Sequence, residues 1–113
     1  MTDKTAKIRE LNDLLRKERR ALNGRIVLAG DLGAERPEGE YLEAILKAMA
    51  DFDSFPTGND PYQEHDFGKF IVEGREFMFK IDYYALDEQS GSEHPEDQNV
   101  TMRVLTIFYA SDY

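Results

Sequence analysis

Apolar side chains recur along this chain with two periods, and the change from one to the other divides it. Over 6–22, Ile8, Leu11, Leu15 and Leu22, with Leu14 beside them, fall at three- and four-residue spacing and predict an amphipathic helix. Asn23-Gly24 ends it, because glycine tolerates the left-handed backbone that closes many helices. Arg16, Lys17, Arg19 and Arg20 stand near its C-terminal end, where the helix dipole favours cations. The next apolar run, 25–30, is short, β-branched and bounded by glycine, so it predicts a strand, with a turn at Asp31-Leu32-Gly33. Over 37–52 the helical period returns in Leu42, Ile45, Leu46, Met49 and Phe52, with Pro37, Glu38 and Glu40 suited to a first turn.

The period then drops to two. Residues 67–72 and 75–84 alternate aromatic and β-branched side chains on either side of Glu73-Gly74, which predicts a hairpin with a two-residue turn. That turn sets the register: Val72 opposes Arg75, Phe70 opposes Phe77, Gly68 opposes Phe79 and Asp66 opposes Ile81. One face then gathers Phe70, Val72, Phe77, Phe79, Ile81 and Tyr83 as a core for the helices. The other face pairs Ile71 with Glu76, Lys69 with Met78, Phe67 with Lys80, and His65 with Asp82. Residues 100–110 are apolar on both faces, as in a central strand, and are expected to lie antiparallel to 75–84. The expected fold is α+β: two helices packed on an antiparallel sheet, in the order α-β-α-β-β-β, as a single domain 1–113 in which a basic helix at 6–22 precedes an acidic body at 25–113.

Between these elements, 53–63 concentrates Pro56, Gly58, Asn59, Asp60 and Pro61 and reads as an ordered loop begun by a turn at Asn59-Asp60-Pro61. Residues 86–99 are polar and acidic, with almost nothing to bury, and are expected to form a mobile excursion over the sheet.

Charge sharpens the division. The net charge is -9, yet residues 1–25 hold eight Lys and Arg against four Asp and Glu (+4), while 26–113 hold six against nineteen (-13). An acidic body repels phosphates, so direct nucleic acid binding through it is disfavoured, and a basic protein partner suits it better. The absence of cysteine excludes disulfides and thiolate metal sites. No apolar stretch approaches the roughly 20 residues that span a bilayer, and the basic start lacks a signal-like apolar run, so the expectation is a soluble cytoplasmic protein with no membrane role.

Candidate chemistry is sparse. Gly24, Gly30 and Gly33 lack the spacing of a phosphate loop and sit among Asp31, Glu35, Glu38 and Glu40, which would repel one. The acids Asp53, Asp60, Glu64 and Asp66 do not follow a calcium-loop pattern, and His65 and His94 are too few for a zinc site, so no metal or cofactor is expected. The candidate catalytic residues are His65, Asp82 and Lys80: a carboxylate across the hairpin would orient the imidazole as a general acid or base, with a cation nearby for developing negative charge. Ser90, Ser92 and Thr101 are the candidate nucleophiles. Arg103, inside an apolar strand, needs a carboxylate, and Asp82 or Asp66 is the expected partner. Asp60, Tyr62, Glu64, Asp66, Tyr84 and Arg103 are the candidate binding residues.

Three segments, NDPYQEHDFG at 59–68, KIDYY at 80–84 and RVLTIFYASDY at 103–113, in this order, resemble the bacterial family called domain of unknown function 3768, and the likeness reaches back to IRELND at 8–13. The resemblance implies a small cytoplasmic protein, often associated with plasmids or other mobile elements, and assigns no catalytic residue. The functional expectation is a non-enzymatic binding or accessory protein whose acidic surface meets a basic protein or imitates nucleic acid charge. A small hydrolase-like enzyme using His65 and Asp82 is the alternative, and a homodimer through the last strand a third possibility.

Overall fold

In a computed structural model of the chain, which describes residues 3–56, 60 and 62–113, the first helix, α1 (Asp3–Glu18), buries Ile8, Leu11 and Leu15 as the periodicity predicts. It ends before residue 22. Arg19 adopts a left-handed backbone (φ 56°) and its amide bonds the Leu15 carbonyl at 3.0 Å, so a non-glycine residue closes the helix and Leu22 is left 60% exposed, outside the core.

Strand β1 (Gly24–Leu28) leads into α2 (Gly30–Glu35), where only a turn was expected. Leu32 is the reason: one helical turn carries this side chain to full burial in the core. Gly33 permits the approach, since a Cβ there would stand 2.6 Å from the Leu28 carbonyl oxygen. Helix α3 (Gly39–Asp51) then buries Ile45, Leu46 and Met49, starting two residues beyond Pro37.

The hairpin has the predicted register. Strands β2 (Phe67–Val72) and β3 (Arg75–Ala85) pair Val72 with Arg75, Phe70 with Phe77, Gly68 with Phe79 and Phe67 with Lys80. Both turn residues, Glu73 (φ 51°) and Gly74 (φ 80°), are left-handed, as a type I′ turn requires. Strand β4 (Thr101–Tyr109) runs antiparallel to β3, and a 3-10 turn (Ala110–Asp112) follows it.

The sheet is mixed, where a purely antiparallel one was expected. Its order is β1-β4-β3-β2, with β1 parallel to β4 from Gly24 opposite Arg103 to Leu28 opposite Ile107. With α2 the element order becomes α-β-α-α-β-β-β. Two helices and a hairpin separate β1 from β4, and a connection of that length permits a parallel return that no local pattern encodes. Leu15, Leu32, Ile45, Leu46 and Met49 from the helices meet Phe70, Phe77, Phe79, Leu105 and Ile107 on one face of the sheet.

Residues 86–99 are not a free excursion. Tyr84 and Gly91 form a bridge, the Ser92 amide donates to the Tyr83 carbonyl (3.0 Å), Thr101 Oγ1 donates to the His94 carbonyl (2.8 Å), and Asn23 holds the Gln98 carbonyl (3.0 Å). Polar composition concealed these backbone anchors. Of the turn expected at Asn59-Asp60-Pro61, only Asp60 lies within the described residues.

Candidate functional site

A polar network is built where α1, the 53–66 segment, β3 and β4 converge. Asn12 and Arg16 are one helical turn apart on the same face as Ile8 and Leu15, so the packing that buries the leucines buries them too, at 0% and 1% exposure. Arg16 faces the end of α3. Its Nη1 donates to the carbonyls of Met49 (2.9 Å), Ala50 (3.2 Å) and Phe52 (2.6 Å) at the C-terminal end of α3, where Met49 also accepts the Phe52 amide (3.3 Å), and its Nη2 bonds Asp13 at 3.1 Å. Placed there, the guanidinium also neutralises the negative end of the α3 dipole.

Asn12 ties the next layer. Its Nδ2 donates to the Glu64 carbonyl (3.0 Å) and the Tyr83 hydroxyl (2.8 Å), while its Oδ1 accepts from Arg103 Nε (2.8 Å). The Tyr83 hydroxyl in turn donates a hydrogen bond to Glu64 Oε1 at 2.8 Å. Burial, reinforced by the bond to Glu64, pushes the Tyr83 hydroxyl far up, so it remains a donor.

His65 does not meet Asp82. The hairpin ladder stops at Phe67–Lys80, followed by one bond from the Ile81 amide to the Asp66 carbonyl (2.8 Å). Beyond that point the Asp60 carboxylate, 3% exposed, accepts from the amides of Glu64 (2.8 Å) and His65 (3.1 Å) and curls the chain, with Gln63 (φ 59°) and His65 (φ 57°) both left-handed. The imidazole thereby swings to the helix face. It stacks on Phe55 with centroids 3.9 Å apart, and Nδ1 lies 2.9 Å from Asp13 Oδ1, while Nε2 is 3.9 Å from Asp60 Oδ2. Strand alternation carries Asp82 to the opposite face, where it opposes Val104 and pairs with Lys80 at 3.6 Å.

Arg103 does not pair with Asp82 or Asp66 either. It opposes Tyr83, one position out of phase with Asp82, and so points into the helix side. Asn12 Oδ1, the Pro95 carbonyl and the Tyr83 ring, 5.3 Å from its guanidinium carbon, compensate it, with Glu64 acting at longer range. Burial holds its pKa below the usual guanidinium value.

The sequence candidates therefore separate into two groups. His65, Asp60, Glu64 and Arg103 belong to the helix-side network, where most of their hydrogen-bonding groups are used within the protein. Lys80, Asp82 and Tyr84 line a shallow cleft of about 320 Å³ on the other face of the sheet, with Phe108 and Tyr113 as further walls. Asp66 sits at the ladder's end; burial, with Glu64, Asp60 and Asp82 adding repulsion, lifts its carboxyl to about 6. Tyr62 is 74% exposed. Among the described residues no hydroxyl bonds the His65 imidazole: Ser92 Oγ and Thr101 Oγ1 bond each other at 2.7 Å, and no hydrogen bond joins Ser90 to the ring. Asn12, Asp13 and Phe55 escaped the sequence reading, and Arg16 was read only as a cation near the end of its own helix, although Asn12 and Arg16 interrupt the apolar stripe of α1 and so carried a visible signal. Among the described residues no group of three or more His, Asp or Glu is arranged to hold a metal ion, and no helix is long and apolar enough to cross a membrane.

The fold and network define a small α+β protein with a mixed sheet covered by helices on one face and a closed polar lattice joining its first helix to the sheet. Residues 31–112 match the family model described as protein of unknown function DUF3768, and the chain belongs to that family. The match starts downstream of α1, so it does not include the likeness at 8–13. No curated protein and no solved structure matches the chain.

Proposed function

We propose that this is a non-enzymatic binding protein that engages a basic protein partner through the carboxylates of the α2–α3 segment. One observation carries the reading: Asp31, Glu35, Glu38, Glu40, Glu43, Asp51 and Asp53 are all exposed, against only Arg36 and Lys47 in the same stretch, a local charge of -5. Glu35, Glu43 and Asp51 have cationic neighbours in Arg75, Arg19 and Lys47, whereas Asp31, Glu38, Glu40 and Asp53 form no ion pair among the described residues. Unpaired carboxylates on a protein of net charge -9 attract and orient a cationic surface. In its finer form the reading has these carboxylates stand in for the phosphates of a nucleic acid, in a cytoplasmic and mobile-element setting. The hydrolase alternative loses its support, because His65 and Asp82 lie on opposite faces of the sheet.

The test is fluorescence anisotropy with a labelled Lys/Arg-rich peptide of about 20 residues and a Gly/Ser control of equal length. Wild-type protein should bind the basic peptide with an affinity that falls as salt rises, and replacing Asp31 and Asp53 by Asn and Glu38 and Glu40 by Gln should weaken binding about tenfold. Equal binding by that variant, or no preference over the control, removes the reading.

A further inference from the structure

We propose that the uncovered face of the sheet is the surface through which two copies of this chain form a symmetric dimer. The helical core lies entirely against the other face; on this one the described residues place no helix, and the C-terminal turn folds Asp112 and Tyr113 against it. Yet the uncovered face is not the polar surface expected of a solvated sheet. In β4 it carries Met102, Val104 and Phe108, in β3 Met78, and in β2 Phe67 and Ile71; Met78, Val104 and Phe108 are already buried within the chain, whereas Phe67 and Met102 are partly exposed and Ile71 is 64% exposed. Tyr113, 82% exposed, places its ring 6.0 Å from those of both Phe67 and Phe108.

Charge selects the occupant. The strand residues of this face carry three cations, Arg25, Lys69 and Lys80, against two carboxylates, Glu76 and Asp82, so the face is close to neutral on a protein whose net charge is -9. A basic partner gains nothing there. Two copies of an acidic protein repel each other over most of their surfaces, and this face is where they can approach. A two-fold axis through it can also bring Lys80 of one copy against Asp82 of the other, because an isologous contact repeats each pairing twice. Both already stand 3.6 Å apart within one chain, half-exposed at the cleft and free to exchange partners.

Strands of five, six, eleven and nine residues, at about 4.8 Å spacing and about 3.3 Å per residue, give roughly 500 Å² of face per copy. The total of about 1,000 Å² is that of a small interface, which fits a weak, reversible dimer.

Sedimentation analysis across about 1–500 µM, the range expected of a small interface, decides the matter. Wild-type protein should pass from the 13.0 kDa chain to twice that mass. Ile71→Glu and Tyr113→Asp, both at exposed positions, should raise the dissociation constant at least tenfold while circular dichroism remains unchanged. Lys80→Asp and Asp82→Lys should each remain monomeric alone, and an equimolar mixture of the two should dimerise, since each then supplies what the other lacks. A wild-type mass of 13.0 kDa throughout, a dimer indifferent to Ile71→Glu and Tyr113→Asp, or a mixture that fails to associate would overturn the proposal.

Discussion

Arg16 shows how much one side chain can hold. It joins α1 to the open end of α3, and truncating it removes the side-chain donor from the Ala50 and Phe52 carbonyls and leaves Met49 only the Phe52 amide. Arg16→Ala should therefore cost about 3 kcal/mol in urea unfolding. Arg16→Lys should recover part of that loss, because one ammonium replaces the charge and not the fork. Asp66 acts with the opposite sign. Its folded-state pKa of about 6 lies above the usual 3.8, so the folded protein binds a proton more tightly than the unfolded chain. The resulting stability is fully present below pH 3.8 and is lost as pH rises through about 6. Asp66→Asn should accordingly stabilise the protein at pH 7.5, by about 1 kcal/mol once solvent screening of a partly exposed carboxylate is allowed for. The advantage should vanish at pH 4, and an unchanged urea midpoint at pH 7.5 would contradict the assignment.

At the scale of elements, the hairpin is the part the sequence specifies best. A two-residue turn leaves one register, and a slip by one position would drive Phe70, Phe77 and Phe79 to the wrong face. Gly68 is its tightest point: a Cβ there would stand 2.4 Å from Phe79 Cε1 and 2.6 Å from Phe52 Cε1. Gly68→Ala should lower stability by about 1–3 kcal/mol through overpacking, read as a drop in thermal midpoint. Just beyond Gly68 the same logic fails. Alternation would place His65 beside Asp82, but it holds only while the strand continues, and the Asp60 carboxylate ends β2 by capturing two successive amides. That capture depends on a residue five positions upstream folding back, which periodicity does not register. Helix α1 was likewise legible in type and in its buried stripe, while its end was set by a left-handed Arg19 where the sequence offers glycine five residues later.

For the whole molecule, α1 is the fastening. Asn12, Asp13 and Arg16 reach β3, β4, α3 and the 53–66 segment, so the parts matched by the family model are locked together from a helix outside that match. A fragment beginning at residue 21 should lose Arg103's partner, the α3 cap and the cover over Leu46 and Met49 together. It should show no cooperative thermal transition by circular dichroism, and a sharp transition in that fragment would refute this role. The charge distribution follows the same plan. Arg19 with Glu43, Lys4 with Glu96 and Arg25 with Glu88 join the basic N-terminal region to the acidic body through exposed ion pairs.

The sequence by itself determined what depends on neighbours along the chain: the apolar stripes of α1 and α3, the hairpin register, the core face of β3 and the charge division between the first helix and the remainder. Such features arise from backbone periods of 3.6 and 2 and from turn stereochemistry, all local. Long-range closure set the rest: β1 lies parallel to β4, Arg103 leans on Asn12, and His65 turns from Asp82 to Asp13. Each of those outcomes joins residues more than 50 positions apart. They were settled by which buried donors and acceptors could satisfy one another once the core had closed.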